Sequence, residues 1–575
     1  MIRVERIQQD IEAIARCTET PGSGATRPTF SPAWANAIQY VGEQARSAGC
    51  DLKSDAAGNT HARPAGLGWE RQAWLCGSHI DTVPHGGDFD GVAGVVVALE
   101  LLRSAKDDGM ASLPLEMISF AEEEGTTFGL GMIGSRAWVG TLGADRLPEL
   151  RNAQGQNYID AGRPFGVDAD RLPHDRIRPQ RYLGFIEVHI EQGPAMWRND
   201  QPLAVVRSIA GRKQYAVRVQ GQSNHAGATP MTQRRDALCG AAEIVLALEK
   251  MAPDISPEAV ATVGSLFNHP NAINVVPERV ELTVDLRAPE DAMLCRGDLE
   301  VRRIVTDICR RRNLNCAVEL TETIDACPLN ERLCRRLSTA AQRAGAGAIP
   351  ATISGALHDS AVIAPLLPTA MLFIPSRDGI SHNSAEFSRV PDIAAAAKVV
   401  EQLVRRPTVA QLNGLDQSDF VSACGGSFEH SPWIARRAWE CRPFASTEDL
   451  YEKLTSVVAQ SSTEEKLALV RAHPDLVGKL ARDGKLTRES GAEQAAAGLA
   501  KLSVEEIAAF ERFNAEYRGR FGFPFVICAR QNRKQAILDA FGRRLANSRE
   551  AELATALAEI YKIARLRLAD TVWED

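Results

Sequence analysis

The sequence predicts a multidomain protein in which an α/β domain carrying an inserted α+β domain is followed by an all-helical domain. Three observations carry this. The chain has 575 residues, several times the ~150 of a typical domain. Its first third alternates strand-like apolar runs with helical patterns, as a sheet flanked by helices requires. Beyond Asn413 the strand signals almost vanish.

In the first part, AWLCGS, LEMISFA and LGFIEVHI read as strands, and GVAGVVVALELLRSA reads as a helix. From Lys213 to about Thr323 the texture changes. YAVRVQG alternates with period two, RRDALCGAAEIVLALEKM is helical, ATVGSLF and RVELTVDLR are strands, GDLEVRRIVTDICRRR is helical, and NCAVELTE is a strand. This β-α-β-β-α-β order is that of a ferredoxin-like sandwich inserted between two halves of the first domain. The α/β pattern resumes with TAMLFIPS and a helix around DIAAAAKVVEQLV. The expected divisions are 1–212, 213–327, 328–408 and 413–575. In the last of these, Ser446 precedes Leu450, Leu454, Val457 and Val458 at helical spacing, while Ser462 with Glu465 and Ser503 with Glu506 form capping boxes. Low complexity is confined to the Ala-rich EQAAAGLA.

Composition excludes several classes of function. Lys plus Arg is 66 against 73 for Asp plus Glu, a net charge of −7, so no basic excess exists to hold nucleic acid. The longest apolar run, GVAGVVVALELL, is interrupted by Glu100 and falls short of the ~20 residues of a bilayer span. The N-terminus, MIRVERIQQDIEAIARC, lacks the apolar segment of a secretory signal. A cytoplasmic protein without a membrane partner is expected. The 12 Cys contain no CxxC pair and read as reduced thiols, so any metal must be held by His, Asp or Glu.

One constellation meets that requirement. His79 ends a strand in GSHIDTVPHGGDFDG, Asp81 follows two residues on, and Asp90 stands at the mouth of a helix after a Gly-rich turn. LEMISFA runs into Glu122, Glu123 and Glu124; LGFIEVHI delivers His189; the loop after TAMLFIPS carries His382. Ligands of open α/β sheets bind outside the carboxyl ends of the strands, so these side chains should converge. Singly, each is more often a hydrogen-bonded or solvated structural residue than a ligand. Together they are costly: burying three imidazoles and several carboxylates without a cation forfeits several kcal/mol.

GSHIDTVPHGGDFDG, AEEEG, EVHIEQGP, SNHAGATPM, NAINVVPERVELTVDLR, SGALHDS and GISHNSAEF, in this order, resemble the binuclear metal amidohydrolases of the aminoacylase and carboxypeptidase type. The branch is that of allantoate amidohydrolase, N-carbamoyl-L-amino-acid hydrolase and β-ureidopropionase. The resemblance spans roughly residues 1 to 408. It implies an α/β metallohydrolase domain whose ferredoxin-like insert serves as a lid and dimerisation domain. It also implies two divalent ions per chain, zinc or manganese: His79, Asp90 and His189 would hold one, and Asp90, Glu124 and His382 the other. Asp81 would orient His79. Glu123 becomes the general base for a poor, urea-like electrophile. Gln192, His225, Asn274, Arg287 and His358 match substrate-binding positions, with Arg287 suited to a carboxylate and His225 to an oxyanion. A homodimer through the insert is expected from the same resemblance.

A second constellation lies in the helical part. Pro474 ends the helix STEEKLALVRAH, so His473 stands at a helix C-terminus, where the dipole favours its protonated form. Ser490, Glu493 and Gln494 share one helix face, and FGFPFVICAR ends in Arg530. With GGSFEHSPW, AHPDL, SGAEQAAAGL and YRGRFGFPFVICAR in order, this part resembles the 2-oxo-4-hydroxy-4-carboxy-5-ureidoimidazoline (OHCU) decarboxylases, which form (S)-allantoin. The resemblance implies His473 as the main acid/base, Glu493 as its partner, Ser490, Gln494 and Arg530 as substrate-binding groups, and no cofactor. Together the two resemblances imply small-molecule ureide substrates and a bifunctional enzyme acting on allantoate and OHCU. The first alone leaves an N-carbamoyl-L-amino-acid hydrolase or β-ureidopropionase open, with a non-catalytic helical module.

Overall fold

The apolar run that is too short to span a membrane forms the helix Val92–Asp107, buried throughout from Val92 to Ala105. A helix with no polar face belongs inside a core. Glu100, the acid within it, is satisfied there by the Arg6 guanidinium and the Arg3 backbone N–H, both donating at 2.7 Å. Around this helix a computed structural model describes residues 1–110, 113–477, 490–491, 493–494, 497 and 502–574. The chain divides into two units, Met1–Val404 and Arg405–Asp575.

In the first unit the strands are β1 (Cys50–Ser54), β2 (Thr60–Pro64), β3 (Ala73–His79), β4 (Leu115–Phe120), β5 (Tyr182–Ile190) and β6 (Ala204–Ile209), then β7 (Gly211–Gln220), β8 (Asn224–His225), β9 (Val260–Thr262), β10 (Leu266–His269), β11 (Val275–Val276), β12 (Arg279–Ala288) and β13 (Asn315–Ile324), and finally β14 (Cys327–Pro328), β15 (Ala351–Ser354) and β16 (Thr369–Ile374). A mixed nine-stranded sheet runs β1-β2-β4-β3-β5-β16-β6-β14, with β15 beside β6. Its centre, β4-β3-β5-β16, is parallel, so the carboxyl ends of four strands open on one edge. The inner strands carry near-continuous apolar side chains because both faces are covered.

A separate antiparallel sheet, β10-β12-β7-β13 with β9 beside β12, carries the helices Ala237–Ile255 and Asp291–Arg311 and its own apolar core. ATVGSLF, one strand in the sequence reading, is two short ones, β9 and β10. The strands β1, β2, β6, β14 and β15 lack the pattern that marks the central four, being short or at the sheet margin.

The second unit is helical among its described residues. Ser446 caps Thr447–Gln460, and Ser462/Glu465 and Ser503/Glu506 form the expected capping boxes on Thr463–Arg471 and Val504–Phe521. Lys534–Arg544 and Arg549–Thr571 complete the packing. Of EQAAAGLA only Glu493, Gln494 and Ala497 lie among the described residues. Also among the described residues, no helix is long and apolar enough to cross a membrane.

Candidate active sites

The parallel strands deliver their side chains to one place. His79 and His189 sit on β3 and β5, Glu123 and Glu124 follow β4, and His382 lies on the loop after β16. Asp90 occupies the middle. Its Oδ1 is 3.1 Å from Nε2 of His189 and 3.6 Å from Nε2 of His79; its Oδ2 is 3.5 Å from Nε2 of His382, which is 3.4 Å from Glu124. Of three groups among the described residues that could hold a metal ion, two, His79/Asp90/His189 and Asp90/Glu124/His382, share Asp90; the third is Glu187/His189/His358. Gly91 makes room for this: its φ is +65°, and a Cβ there would sit 2.5 Å from the His79 ring.

Each histidine is oriented from behind. Nδ1 of His189 meets the Ile190 carbonyl at 2.9 Å and Nδ1 of His79 the Asp81 carbonyl at 3.1 Å. A carbonyl only accepts, so each Nδ1 carries a proton and each Nε2 is turned toward Asp90. Asp81 thus holds His79 through its backbone, while its carboxylate accepts the N–H groups of Glu123 (3.3 Å) and Glu124 (3.1 Å). Glu122, left-handed at φ 56°, accepts from Thr127 and Phe128 N–H and fixes the turn that presents its two neighbours.

The electrostatics of the cluster call for cations. Burial pushes Glu123 well above the carboxylate range; His79 opposes this, and Glu124, Asp359 and Asp81 add to it. Glu124 is raised likewise by burial and Asp90. Asp90, despite burial, is held low by His189 and His79. Nε2 of His79 is buried without a hydrogen-bond partner. A buried imidazole nitrogen without a hydrogen-bond partner among mutually repelling carboxylates is what a bound divalent ion resolves, so the donor set fits two such ions.

The second unit gathers a different set. His473 follows Thr463–Arg471, and its Nδ1 donates to the Leu469 carbonyl at 3.0 Å. The sequence expects the helix dipole to favour protonation here. The structure reverses that, because burial outweighs the dipole and lowers His473 to about 4. The imidazole is neutral, and its Nε2, buried without a partner, belongs to a pocket shared with Pro474, Ser490, Glu493, Gln494, Phe525 and Arg567. Arg567 is clamped: Nε and one Nη donate to Glu493 at 2.8 Å, and the other Nη to Glu429 at 2.7 Å. Ser490 donates to Glu429 at 3.0 Å, and Gln494 accepts from Val477 N–H at 3.1 Å. The wall is stiff. Phe525 stacks on Phe541 at 3.7 Å, and Arg544 holds the Val526 carbonyl at 2.7 Å.

Residues 75–406, more than half of the chain, match the model of peptidase family M20/M25/M40. The chain belongs to this family. Residues 413–569 match OHCU decarboxylase, so this M20-family enzyme joins an amidohydrolase domain to an OHCU decarboxylase domain and has hydrolase and carboxy-lyase character. Similar proteins include the N-carbamoyl-L-amino acid amidohydrolase of Geobacillus stearothermophilus, 35% identical over 70% of this chain and 98% of that one. The allantoate amidohydrolase of Escherichia coli K12 is 32% identical over 69% and 96%. A solved amidase of the hydantoinase/carbamoylase family from Burkholderia multivorans superposes with a TM-score of 0.64 at 32% identity, covering 70% of this chain and 97% of that one. M20 hydrolases use two metal ions, in keeping with the paired triads.

Within this M20-family chain the other candidate residues are distributed unevenly. Gln192, strained at φ 56°, donates to Asp90 Oδ2 at 2.7 Å. The His358 ring lies 4.4 Å from that of His189, and its Nε2 pairs with Ser354 at 2.8 Å. Both adjoin the cluster. On β8, which pairs with β11, His225 is exposed and its Nδ1 accepts from Gly227 and Ala228 N–H. Asn274 is exposed, and Arg287 pairs with Asp285 at 2.8 Å and donates to the Gly355 carbonyl at 2.7 Å. Among the described residues none of these three hydrogen-bonds to the cluster.

Arg530 is a correction: it pairs with Asp570 at 2.5 Å, half-exposed, and does not line the decarboxylase pocket. Its place at the end of an apolar run leaves its long side chain at the surface. Arg567 stands in the pocket instead. The signal for it was present, since Ile560, Ile563, Ala564, Arg567 and Leu568 share the apolar stripe of Arg549–Thr571, and a cation on such a stripe demands partners.

Proposed function

We propose that the chain is a bifunctional enzyme of ureide breakdown. Its first unit hydrolyses allantoate to a ureidoglycine- or ureidoglycolate-type product with ammonia and carbon dioxide, and its second decarboxylates OHCU to (S)-allantoin without a cofactor. The observation that carries the proposal is the joining, on one chain, of the paired triads around Asp90 to an OHCU decarboxylase domain. A ureide-forming partner favours a ureide for the hydrolase as well.

For the hydrolase we assign one cation to His79, Asp90 and His189 and a second to Asp90, Glu124 and His382, with zinc or manganese as the ion. When bound, such ions polarise the ureido carbonyl and acidify the attacking water. Glu123, whose carboxylate approaches Nε2 of His79 at 3.6 Å, takes the proton from that water and passes it to the departing nitrogen. Gln192 and His358 line the pocket. His225, Asn274 and Arg287 reach the substrate from the insert, residues 213–327, which acts as a ferredoxin-like lid. The same insert carries exposed Leu246, Phe267, Ile273 and Leu299, which supports a homodimer through it. The catalytic domain then comprises 1–212 and 328–408, and the decarboxylase 413–575, both in the cytoplasm.

For the decarboxylase, the electron pair of the broken carbon–carboxylate bond passes into the substrate's ring C=N as carbon dioxide leaves, and that nitrogen takes a proton from solvent; neutral His473 accepts the substrate hydroxyl proton at Nε2 and returns it to one face of the adjoining ring carbon. Glu493 and Glu429 hold Arg567 for the carboxylate, and Ser490 and Gln494 hold the ureido and ring groups. Burial strips water from the carboxylate, which favours its loss.

The Geobacillus relative supports a second reading, in which the first unit hydrolyses N-carbamoyl-L-amino acids. Purified protein assayed with allantoate, N-carbamoyl amino acids and freshly generated OHCU decides between them. Turnover of allantoate and OHCU is expected; turnover of carbamoyl amino acids alone refutes the proposal.

A further inference from the structure

Four residues past His382, Glu386 folds back into the protein and is 6% exposed. Its Oε1 accepts two backbone N–H groups, from Phe89 at 3.0 Å and Asp90 at 3.1 Å. Its Oε2 lies 3.2 Å from the Ser381 hydroxyl, which in turn lies 2.9 Å from Asp90 Oδ2. Beside it the rings of Phe89 and Phe387 meet edge to face at 5.8 Å. One carboxylate therefore ties the turn that carries Asp90 to the loop that carries His382.

The two cation positions depend on that tie unequally. His79 and His189 are held by strands β3 and β5 and face Asp90 Oδ1, whereas His382 is on a loop, half-exposed, and faces Asp90 Oδ2. The neighbouring glycine is shaped to the clamp. A Cβ on Gly87 would sit 2.1 Å from Glu386 Oε1, and its three nearest atoms all belong to Glu386. Gly87 is not left-handed, so its lack of a side chain serves close approach rather than backbone freedom.

We propose that Glu386 is a positioning residue that clamps the Asp90 turn to the His382 loop and so presets the cation position formed by Asp90, Glu124 and His382. The inference rests on the two-cation reading above. Groups of this kind, one step removed from the ion, are worth about 10–100-fold in metal affinity.

The test uses the full chain as wild type, Glu386→Gln, Glu386→Ala and Gly87→Ala, each stripped, reloaded with zinc and titrated with a competing chelator, with bound ions counted by mass spectrometry. Wild type should hold two ions. Glu386→Gln keeps a carbonyl oxygen for both N–H groups and should hold two ions with near wild-type affinity. Glu386→Ala should hold the first ion normally and the second about 10–100-fold more weakly. Gly87→Ala, which must displace Glu386, should do the same, and the double variant should lose no more than either single one. If Glu386→Ala fails to fold, Gly87→Ala decides. Retention of the second ion at wild-type affinity in the folded variants, or loss of both ions together, overturns the proposal. A wild type that takes up fewer than two ions overturns the two-cation reading itself.

Discussion

The two candidate sites use the same side chains, histidine and glutamate, under opposite charge regimes. Around Asp90 the imidazoles and carboxylates face one another, no Lys or Arg among the described residues pairs with them, and His79 Nε2 is left without a hydrogen-bond partner. In the helical unit the cation is built in, since Arg567 sits between Glu493 and Glu429. The first set of side chains suits external cations, and the second supplies its own. The comparison teaches where to expect a metal: carboxylates that are buried, mutually repelling and free of Arg or Lys need one, while carboxylates around a buried guanidinium do not.

The sharpest way to break this comparison is to remove divalent ions. Exhaustive chelation should abolish allantoate hydrolysis, leave OHCU decarboxylation unchanged, and be reversed by zinc or manganese. Parallel loss of both activities would show that the second site is not self-sufficient.

Next in size is His473→Ala, which should lower decarboxylation by about 10²–10⁴-fold, the usual worth of a general acid–base, and spare hydrolysis. The pH profile adds a signature. An ordinary histidine titrates near 6.5, whereas burial holds His473 at about 4, so the base form persists on acidification. The acid limb of kcat/KM should fall near pH 4 to 5. A limb centred at 6.5 would mean that the buried environment is not the one catalysis uses.

Arg567→Ala tests the built-in cation. It removes the guanidinium from between Glu429 and Glu493, and breaking a buried ion pair of this kind costs about 3–5 kcal/mol. The urea midpoint of the helical unit should fall accordingly. Arg567→Lys, which keeps the charge without the planar fork, should fall between wild type and Ala. Equal stability of all three would remove the clamp from the account.

How far these sites were legible in the sequence follows from the kind of signal each residue sends. His79, Asp90, Glu123, Glu124, His189 and His382 lie at or just beyond the ends of apolar strand runs, and a parallel sheet brings strand ends together regardless of the residues between them. Their convergence could be read from pattern alone. Arg567 and Glu429 are more than a hundred residues apart and meet only through helix packing, which no local pattern encodes, so the sequence points to Arg530 rather than Arg567. The helix end that carries His473 is visible in sequence, whereas its burial in the pocket that Phe525 and Ile563 also line, which lowers its pKa, is a tertiary property. The short strands β14 and β15 are illegible in sequence for a similar reason, because a few residues of strand have no periodicity to detect.

The smallest expected effect concerns a third histidine, which puts both regimes into one residue. His61 is fully buried between Glu116 (Nδ1, 2.7 Å) and Asp55 (Nε2, 3.1 Å), with Arg63 also on Glu116 at 2.7 Å. Burial pulls its pKa down, but the hydrogen bonds and charges of the two acids prevail and raise it to about 9. Like Arg567 it is a cation held between two carboxylates, yet unlike Arg567 it can lose its charge. A folded pKa above the unfolded 6.5 means that the stabilisation is complete below about pH 6.5 and is lost as pH rises through about 9. The full amount is at most about 3 kcal/mol; the depressed Glu116 carboxyl reports the same contact from its other end and is counted once. Trp138, whose ring lies 5.3 Å from that of His61, provides a fluorescence reporter. Urea unfolding of wild type and His61→Gln should differ most at pH 6, and the gap should close by about pH 10, because a neutral imidazole donates one N–H and cannot serve both acids. A gap independent of pH would mean that His61 holds the two strands by packing rather than by charge.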